Sequence, residues 1–463
     1  MKIPLKKLLV FLLVGAMLLL PVAGVFASAT SNLSVAPFDA AERQKSADNG
    51  FVRFLRQIAD WFSRLFGALW NWFMGEDEPA PEPTSLPVTA PVSEPVSEPA
   101  TEPETDPTAP TEPLEPTPGE ILERLNVPAL RSREEMLEIL QREEYGFLPA
   151  PPETLSFSVL EENIRPELCV GKAVVNKLQA SGTWNGRAFS FPFYETMPTD
   201  GRQHPFFIHN NFRDQIPDKY MPTEDLVDQG FAVLSLCYED VTSDDADFTN
   251  GLAGVIFPGG ERPNDGAGKI ALWAWAAQRV MDYAETRTDV LDLSRAVICG
   301  HSRLGKTALF TAATDTRFTY CYSNDAGCSG DALARANSKD AGNETVAQMI
   351  KRYAFWYCEN YRQYANHEAD MPFDQHYLIA SIAPRRVLLG SASLDIWANP
   401  AAQQLSAIAA SPAFNNGLAA PDRFAEVGEA FLEGDIGFHL REGEHFFKPA
   451  DWQRLIEFVN LHG

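Results

Sequence analysis

Residues 296–309 read AVICGHSRLGKTAL, an apolar run followed by a short polar stretch and a segment suited to a helix. Within it, residues 300–307 match the G-x-x-x-x-G-K-[ST] pattern of a phosphate-binding P-loop. The same residues place Ser302 on a turn between a predicted strand and a predicted helix, as a hydrolase presents its nucleophile. The pattern is therefore compatible with a nucleotide-binding protein and with a serine hydrolase.

The residues inside the loop favour the hydrolase. A P-loop surrounds phosphate with backbone N–H groups and favours small residues at those positions. Here the interior contains His301, Arg303 and Leu304, which are all bulky. The loop also lies after several predicted strands, whereas a P-loop usually follows the first strand of its domain. Both observations argue against a P-loop.

A serine hydrolase of this type needs an acid and a histidine after later strands. Asp395 follows a predicted strand at 387–390, and His445 follows one at 436–440. In that arrangement Ser302 attacks an acyl carbon, His445 takes its proton, and the acid orients the imidazole. The three residues come in the chain order that this mechanism predicts.

Strands and helices alternate through most of the folded region. A helix at 133–140 and β-rich runs to residue 193 precede predicted strands at 206–208, 231–236, 296–299, 320–322, 387–390 and 438–440, with helices at 267–287, after Gly305 and from Pro449. This order is typical of a mostly parallel sheet covered on both faces. We predict an α/β fold of the α/β-hydrolase type, a three-layer sandwich.

The N-terminal quarter of the chain differs in composition. A basic start, an apolar run and small residues predict a secretory signal peptide over residues 1–27. Residues 28–75 are predicted to form an aromatic-rich amphipathic helical segment, centred on 51–74, whose apolar face suits a membrane surface, a cell-envelope partner or self-association. Residues 76–118 are Pro-rich, with eleven acidic residues and no Lys or Arg, and predict a disordered tether. The catalytic domain is predicted over 119–463.

Composition excludes several classes of function. The net charge of −25 argues against nucleic-acid binding, because phosphates repel such a surface. Six cysteines are too few for a disulfide framework, although the spacing leaves a Cys321–Cys328 bridge open. No Cys or His cluster has zinc-ligand spacing, so we expect no zinc or other metal site. A secreted protein would also meet little ATP or GTP.

The turn itself has a specific resemblance. It is one residue longer than the usual G-x-S-x-G, and Gly300-His301-Ser302-Arg303-Leu304-Gly305-Lys306 resembles the G-C-S-R-x-G-K pattern of glucuronoyl esterases, carbohydrate esterase family 15. The resemblance covers nearly all of the folded part and includes residues 145–146, 222–224, 230–233, 274–276, 323–328, 372–376, 382–385, 395–400, 445 and 451–452.

The resemblance implies a secreted serine esterase acting on glucuronoxylan or lignin–carbohydrate esters. It would cleave the ester between (4-O-methyl-)glucuronic acid and a lignin-type alcohol through an acyl-enzyme, without a cofactor. Arg303 would help to neutralise the oxyanion. Lys306, Glu344 and Trp397 would contact the sugar, although residues 342–346 carry one residue more than the family's Gly-Glu-Thr-Val motif.

The resemblance leaves two positions open for the acid. The family places it either after the late strand, here Asp395, or after the strand following the nucleophile, here Asp325. An aspartate at 325 is shorter than the glutamate often found there, which favours Asp395.

The function has two alternatives at this stage. The triad alone does not choose the acyl group, so an acetylxylan esterase or another carbohydrate esterase is one. A carbohydrate- or surface-binding module on an inactive hydrolase fold is the other, and the intact triad argues against it.

Other conspicuous side chains have structural interpretations. Asp374 and His376 are predicted to form a structural hydrogen-bonded pair. His301 is predicted to lie under the turn, and His439 to belong to the core or its rim. The tryptophans at 273 and 275 fit a helix face that packs on the sheet.

Overall fold

The computed structural model describes residues 116–463. The predicted signal peptide, the segment at 51–74 and nearly all of the predicted tether lie outside the described residues. The first helix, α1 (Pro118–Leu125), begins one residue before the predicted start of the catalytic domain. Thr117 caps it by accepting a hydrogen bond from the Glu120 N–H, and Gly119 N donates to Asp422 Oδ1 at 3.1 Å. The end of the predicted tether is thus attached to the folded domain.

Within this part of the chain one sheet of ten strands forms the centre of the fold. The strands are β1 (Thr154–Glu161), β2 (Ala173–Trp184), β3 (Arg187–Pro198), β4 (His204–Asn211), β5 (Ala232–Cys237), β6 (Leu291–His301), β7 (Tyr320–Asn324), β8 (Arg386–Ala392), β9 (Ala430–Phe431) and β10 (Ile436–Arg441). Their order across the sheet is β1-β2-β3-β5-β4-β6-β7-β8-β10-β9. From β5 to β10 along this order all neighbours are parallel, whereas β1, β2, β3 and β9 join by antiparallel pairing.

Helices lie on both faces of the sheet. The strand side chains alternate between two apolar clusters: Ile298 belongs to the cluster that contains Trp273 and Trp275, and Val297 to the cluster that contains Trp452. The remaining helices are α2 (Arg133–Leu140), α3 (Thr223–Asp228), α4 (Tyr238–Val241), α5 (Gly251–Ile256), α6 (Lys269–Ala284), α7 (Arg303–Thr314), α8 (Val346–Tyr353), α9 (His376–Ala380), α10 (Pro400–Ala410) and α11 (Pro449–His462). The predicted α/β-hydrolase architecture is confirmed.

The structure corrects the predicted start of the helix after Ser302 and answers the open question of a Cys321–Cys328 bridge. The helix after the nucleophile starts at Arg303 rather than after Gly305, because the turn itself needs only Ser302. All six cysteines are buried and free, so Cys321 and Cys328 are not bridged. Among residues 116–463, no helix has the length and apolar character needed to span a membrane.

Candidate active site

Ser302 occupies a sharp turn between β6 and α7. Its backbone has φ 58° and ψ −127°, a conformation that costs a non-glycine residue energy and is concentrated at functional sites. A side chain at Gly300 would place its Cβ 2.2 Å from the Leu304 carbonyl oxygen. A Cβ at Gly305 would lie 3.0 Å from Ser323 Oγ. Close packing of the turn therefore explains both glycines of the P-loop-like pattern.

Parallel pairing brings the predicted triad together. The carboxyl ends of the neighbouring strands β6, β7, β8 and β10 lead into Ser302, Asp325, Asp395 and His445, respectively. His445 Nδ1 lies 2.6 Å from Asp395 Oδ2. The carboxylate is buried and the imidazole is 40% exposed, so the ring is accessible from the pocket that Ser302 also lines. Among the described contacts no hydrogen bond joins Ser302 to His445, and such bonds often form only when substrate binds.

Asp325 has other partners. It is buried, with φ 46°, and its Oδ1 accepts a hydrogen bond from Ala392 N at 2.9 Å. Its Oδ2 lies 3.3 Å from Arg441 Nη2. Burial and the nearby charge of Asp395 raise the pKa of the Asp325 carboxyl well above its usual range, and Arg441 opposes this.

The two aspartates and the histidine also form a group of potential metal ligands. The ligand atoms of Asp325, Asp395 and His445 lie within 4.8 Å of one another. Two of those side chains are already joined by the His445–Asp395 hydrogen bond. That bond leaves His445 Nε2 as the free ring nitrogen, which is what a general base for Ser302 requires.

Arg303 lies at the N-terminus of α7, beside the nucleophile. One of its terminal nitrogens forms an ion pair with Asp244, which also accepts a hydrogen bond from Trp356 Nε1 at 2.6 Å. Its guanidinium carbon lies 4.8 Å from the centre of the Trp356 ring. The first N–H groups of a helix have no intrahelical partner, so α7 adds backbone donors to this cation. Such a group of donors suits a developing oxyanion.

The three predicted sugar contacts lie together in the pocket that Ser302 lines. Trp397 Nε1 donates to Glu344 Oε1 at 2.9 Å, and Lys306 Nζ lies 3.6 Å from Glu344 Oε2. Burial raises the pKa of Glu344, and Lys306 opposes that shift. Lys306 also donates to the carbonyls of Ala326 and Cys328. Two of its three N–H bonds thus have backbone partners and its charge lies beside Glu344, which the sequence did not indicate.

One cavity of about 230 Å³ joins these groups. It is lined by Ser302, Arg303, Lys306, Asp325, Ala326, Glu344, Tyr353, Trp356, Trp397, Ala398 and His445. The aromatic rings of Tyr353 and Trp356 stack with centres 4.1 Å apart and planes 4° apart. Sequence reasoning missed this aromatic wall, although the run YAFWY at 353–357 was a signal for it.

The other histidines have structural surroundings. The predicted Asp374–His376 pair is wrong: His376 Nε2 bonds to the Pro128 carbonyl, and Asp374 pairs with Arg335. Burial lowers the pKa of His439 to about 3, and its ring bonds to the Tyr322 hydroxyl. The core role predicted for His439 is confirmed.

His301 lies directly behind the predicted base. Its Nδ1 is 2.7 Å from Asn324 Oδ1, and its ring centre is 4.4 Å from that of His445. Burial, followed by the charge of His445, lowers the pKa of His301 well below its usual range. A buried, neutral ring under the turn agrees with the sequence prediction.

Comparison with known proteins gives consistent relatives. A family model described as glucuronyl esterase, fungi, matches residues 184–416. Carbohydrate esterase MZ0003, from an unknown prokaryotic organism, is 37% identical over 245 residues, covering 52% of this chain and 55% of that protein. The 4-O-methyl-glucuronoyl methylesterase of Schizophyllum commune is 25% identical over 305 residues, covering 64% of this chain and 71% of that protein.

Solved structures agree with the sequence relatives. A glucuronoyl esterase from Solibacter usitatus superimposes with a TM-score of 0.64 and 28% identity over 72% of this chain and 92% of that one. The match to the carbohydrate esterase spans only about half of its length. The family model nevertheless covers half of this chain, and the fold agrees along the described residues. The protein therefore belongs to the glucuronoyl esterases, carbohydrate esterase family 15, a family of carboxylic ester hydrolases.

Proposed function

We propose that this protein is a serine esterase that hydrolyses the ester between (4-O-methyl-)glucuronic acid of xylan and a lignin-type alcohol. The observation that carries the proposal is one pocket with two kinds of group. Ser302 and the His445–Asp395 pair can supply acyl transfer. Trp397 and the buried Lys306–Glu344 pair line the same pocket and can hold a polar sugar ring.

The groups that line the pocket support a two-step acyl transfer. Ser302 Oγ attacks the ester carbonyl carbon while His445 Nε2 takes the hydroxyl proton. Negative charge develops on the carbonyl oxygen, near the N-terminus of α7 and the Arg303 guanidinium. The intermediate then collapses, His445 gives the proton to the leaving alcohol, and a glucuronoyl-enzyme remains. Water attacks that acyl-enzyme with His445 again as the base, which releases glucuronate and restores Ser302.

We also propose that the protein is secreted and attached outside the cell through its N-terminal region. The signal sequence predicted over 1–27 supports secretion, and the tether predicted over 76–118 would hold the esterase away from its attachment point. Solid plant cell wall is a substrate that an enzyme must reach outside the cell. The segment at 51–74 would supply contact with a membrane surface or the cell envelope.

We expect kcat/KM for benzyl glucuronate to exceed that for acetylated xylose by at least about a hundredfold, or roughly 2.7 kcal/mol. In a uronate ester the sugar is the acyl group, so its hydroxyls lie beside Ser302, where Lys306, Glu344 and Trp397 line the pocket. In an acetate ester the sugar is the leaving group, and these polar groups gain no partner on the acyl side. Steady-state kinetics on the two esters checks this.

Variants on the acyl side should reduce that preference. Trp397→Ala and Lys306→Met should lower kcat/KM for the glucuronate ester and leave the acetate ester nearly unchanged. Trp184→Ala is the matched control, because Trp184 lies on β2 outside the pocket and donates to the Ala150 carbonyl. Equal or better activity of the wild type on acetylated sugars would favour the acetylxylan esterase alternative and leave the serine mechanism intact.

Removing residues 28–116 should leave kcat/KM on small soluble esters within about twofold, because a long polar tether contributes nothing to the core. The cut ends before Thr117, since that side chain caps α1. The same deletion should reduce binding to anionic vesicles, which basic amphipathic segments favour. A deletion of residues 28–75 alone is the control that keeps the tether. If the variant without residues 28–116 were folded but inactive on small esters, the segment at 51–74 would belong to the catalytic machinery.

A further inference from the structure

Arg441, the last residue of β10, is a buried cation with hydrogen-bond partners on five residues, one of them the adjacent Glu442. It is 8% exposed. Its Nε lies 2.8 Å from each carboxylate oxygen of Asp451, and its Nη1 donates to the Glu444 carbonyl at 3.2 Å. Its Nη2 donates to Asp325 Oδ2 at 3.3 Å and to the Phe446 carbonyl. The guanidinium thus links β10, α11 and the loop after β7.

Two of those partners flank the predicted general base. Glu444 and Phe446 are the neighbours of His445, so one rigid guanidinium holds the peptide units on both sides of it. The loop also passes close to this cation: Gly443 has φ 122°, and a Cβ there would lie 3.2 Å from Arg441 Nη1. The planar, multidentate fork of arginine can hold such a loop, whereas lysine offers a single point of attachment.

A third partner is the second aspartate of the site. Asp325 has a carboxyl oxygen within 4.8 Å of the ligand atoms of Asp395 and His445, so a small movement of its side chain would bring it to the imidazole. Instead, one of its oxygens accepts from Ala392 N and the other from Arg441. Asp395 Oδ2 alone is at hydrogen-bonding distance from His445 Nδ1.

We propose that Arg441 is a positioning residue of the triad, which fixes the His445 loop and holds Asp325 away from the imidazole so that Asp395 serves as the acid. Arg441 does not line the pocket, so it acts through His445 rather than on the substrate. The inference rests on the proposed serine esterase function, because it assigns Arg441 a role through the general base.

Arg441→Lys tests the fork while keeping the charge. We expect kcat per titrated active site to fall about a hundredfold, the effect of misplacing a catalytic group by about 1 Å, with KM within about twofold. Phosphonylation of Ser302 by a fluorophosphonate should slow in parallel, and this readout does not depend on the substrate assignment. If the wild type reacts with fluorophosphonate but does not hydrolyse glucuronate esters, the proposed substrate is wrong. The phosphonylation rate of Arg441→Lys then still tests the role proposed for Arg441.

Arg385→Lys is the matched control. Arg385 also donates to three backbone carbonyls, those of Ala312, Asp315 and Phe318, but it precedes β8 at the opposite end of the strand from Asp395. We expect this variant to melt at a lower temperature with kcat per active site unchanged. If Arg441→Lys behaves in the same way, or raises KM while kcat is kept, Arg441 is merely structural and the proposal is overturned.

A second arm tests the competition between the aspartates. In an Asp395→Asn background, adding Arg441→Gln should cost at least about tenfold less than Arg441→Gln costs alone, because the freed Asp325 can then accept from His445 and offset part of the lost loop contacts. Coupling of this kind is expected only for groups in contact. A further loss as large as Arg441→Gln causes alone would show independent effects and would overturn the part of the proposal that concerns Asp325.

Discussion

Ser302→Ala should lower turnover of a benzyl glucuronate ester by at least about 10⁴-fold, because the acyl-enzyme can no longer form. The pocket, the His445–Asp395 hydrogen bond and the oxyanion donors do not depend on the serine hydroxyl, so the variant should still bind the sugar. Calorimetry with glucuronate would measure that binding. Thermal melting would show whether the turn still folds.

Ser329→Ala is the control for replacing a buried serine that has a positive φ, as Ser302 has, but lies outside the pocket. Ser329 has the same φ of 58° and is buried, but its hydroxyl bonds to Tyr361 and does not line the pocket. This variant should lose some stability and keep its turnover. Undiminished ester hydrolysis by Ser302→Ala would contradict the mechanism. Micromolar ATP affinity that disappears with Lys306→Met would support the P-loop interpretation instead.

The sequence predicted the architecture because its apolar patterns are long. The strand predicted at 296–299 is the buried centre of β6, and the helix predicted at 267–287 contains α6 (Lys269–Ala284). The predicted ends of the strands and helices were less accurate. β6 begins earlier, at Leu291, whose partner on β4 is His204, so its first residues are fixed by a distant strand rather than by their own hydrophobicity.

The site was predictable where chain order determines position. Side chains just after parallel strands collect at one edge of a sheet, which places Ser302, Asp395 and His445 together. The partners of Arg303 and Lys306 were not predictable. Asp244 lies 59 residues before Arg303, and the carbonyls that hold Lys306 carry no sequence signal.

The choice between the two aspartates also could not be made from chain order. Both Asp325 and Asp395 follow strands of the parallel sheet, so chain order alone gives them equal standing. They differ in their partners: Arg441, 116 residues after Asp325, engages that side chain, whereas Asp395 faces His445. Long-range contacts of this kind require the folded structure.

Asp395→Asn should reduce kcat about 10³- to 10⁴-fold, because an asparagine can present its amide to the imidazole and favour the wrong tautomer. Asp395 is buried and lies 2.6 Å from His445 Nδ1, so no solvent replaces its charge. Asp325→Asn should cost less than about tenfold, because His445 Nδ1 bonds to Asp395 rather than to Asp325, and an asparagine can still accept from Ala392 N.

The double variant distinguishes a second acid from a bystander. If Asp325 partly replaces Asp395 when Asp395 is lost, the two changes together should cost more than the product of their single effects. Parallel melting curves would separate this from unfolding, because Asp325 also accepts from Ala392 N and Arg441. A complete loss of turnover from Asp325→Asn alone, in a protein that melts like the wild type, would mean that the acid follows β7 rather than β8.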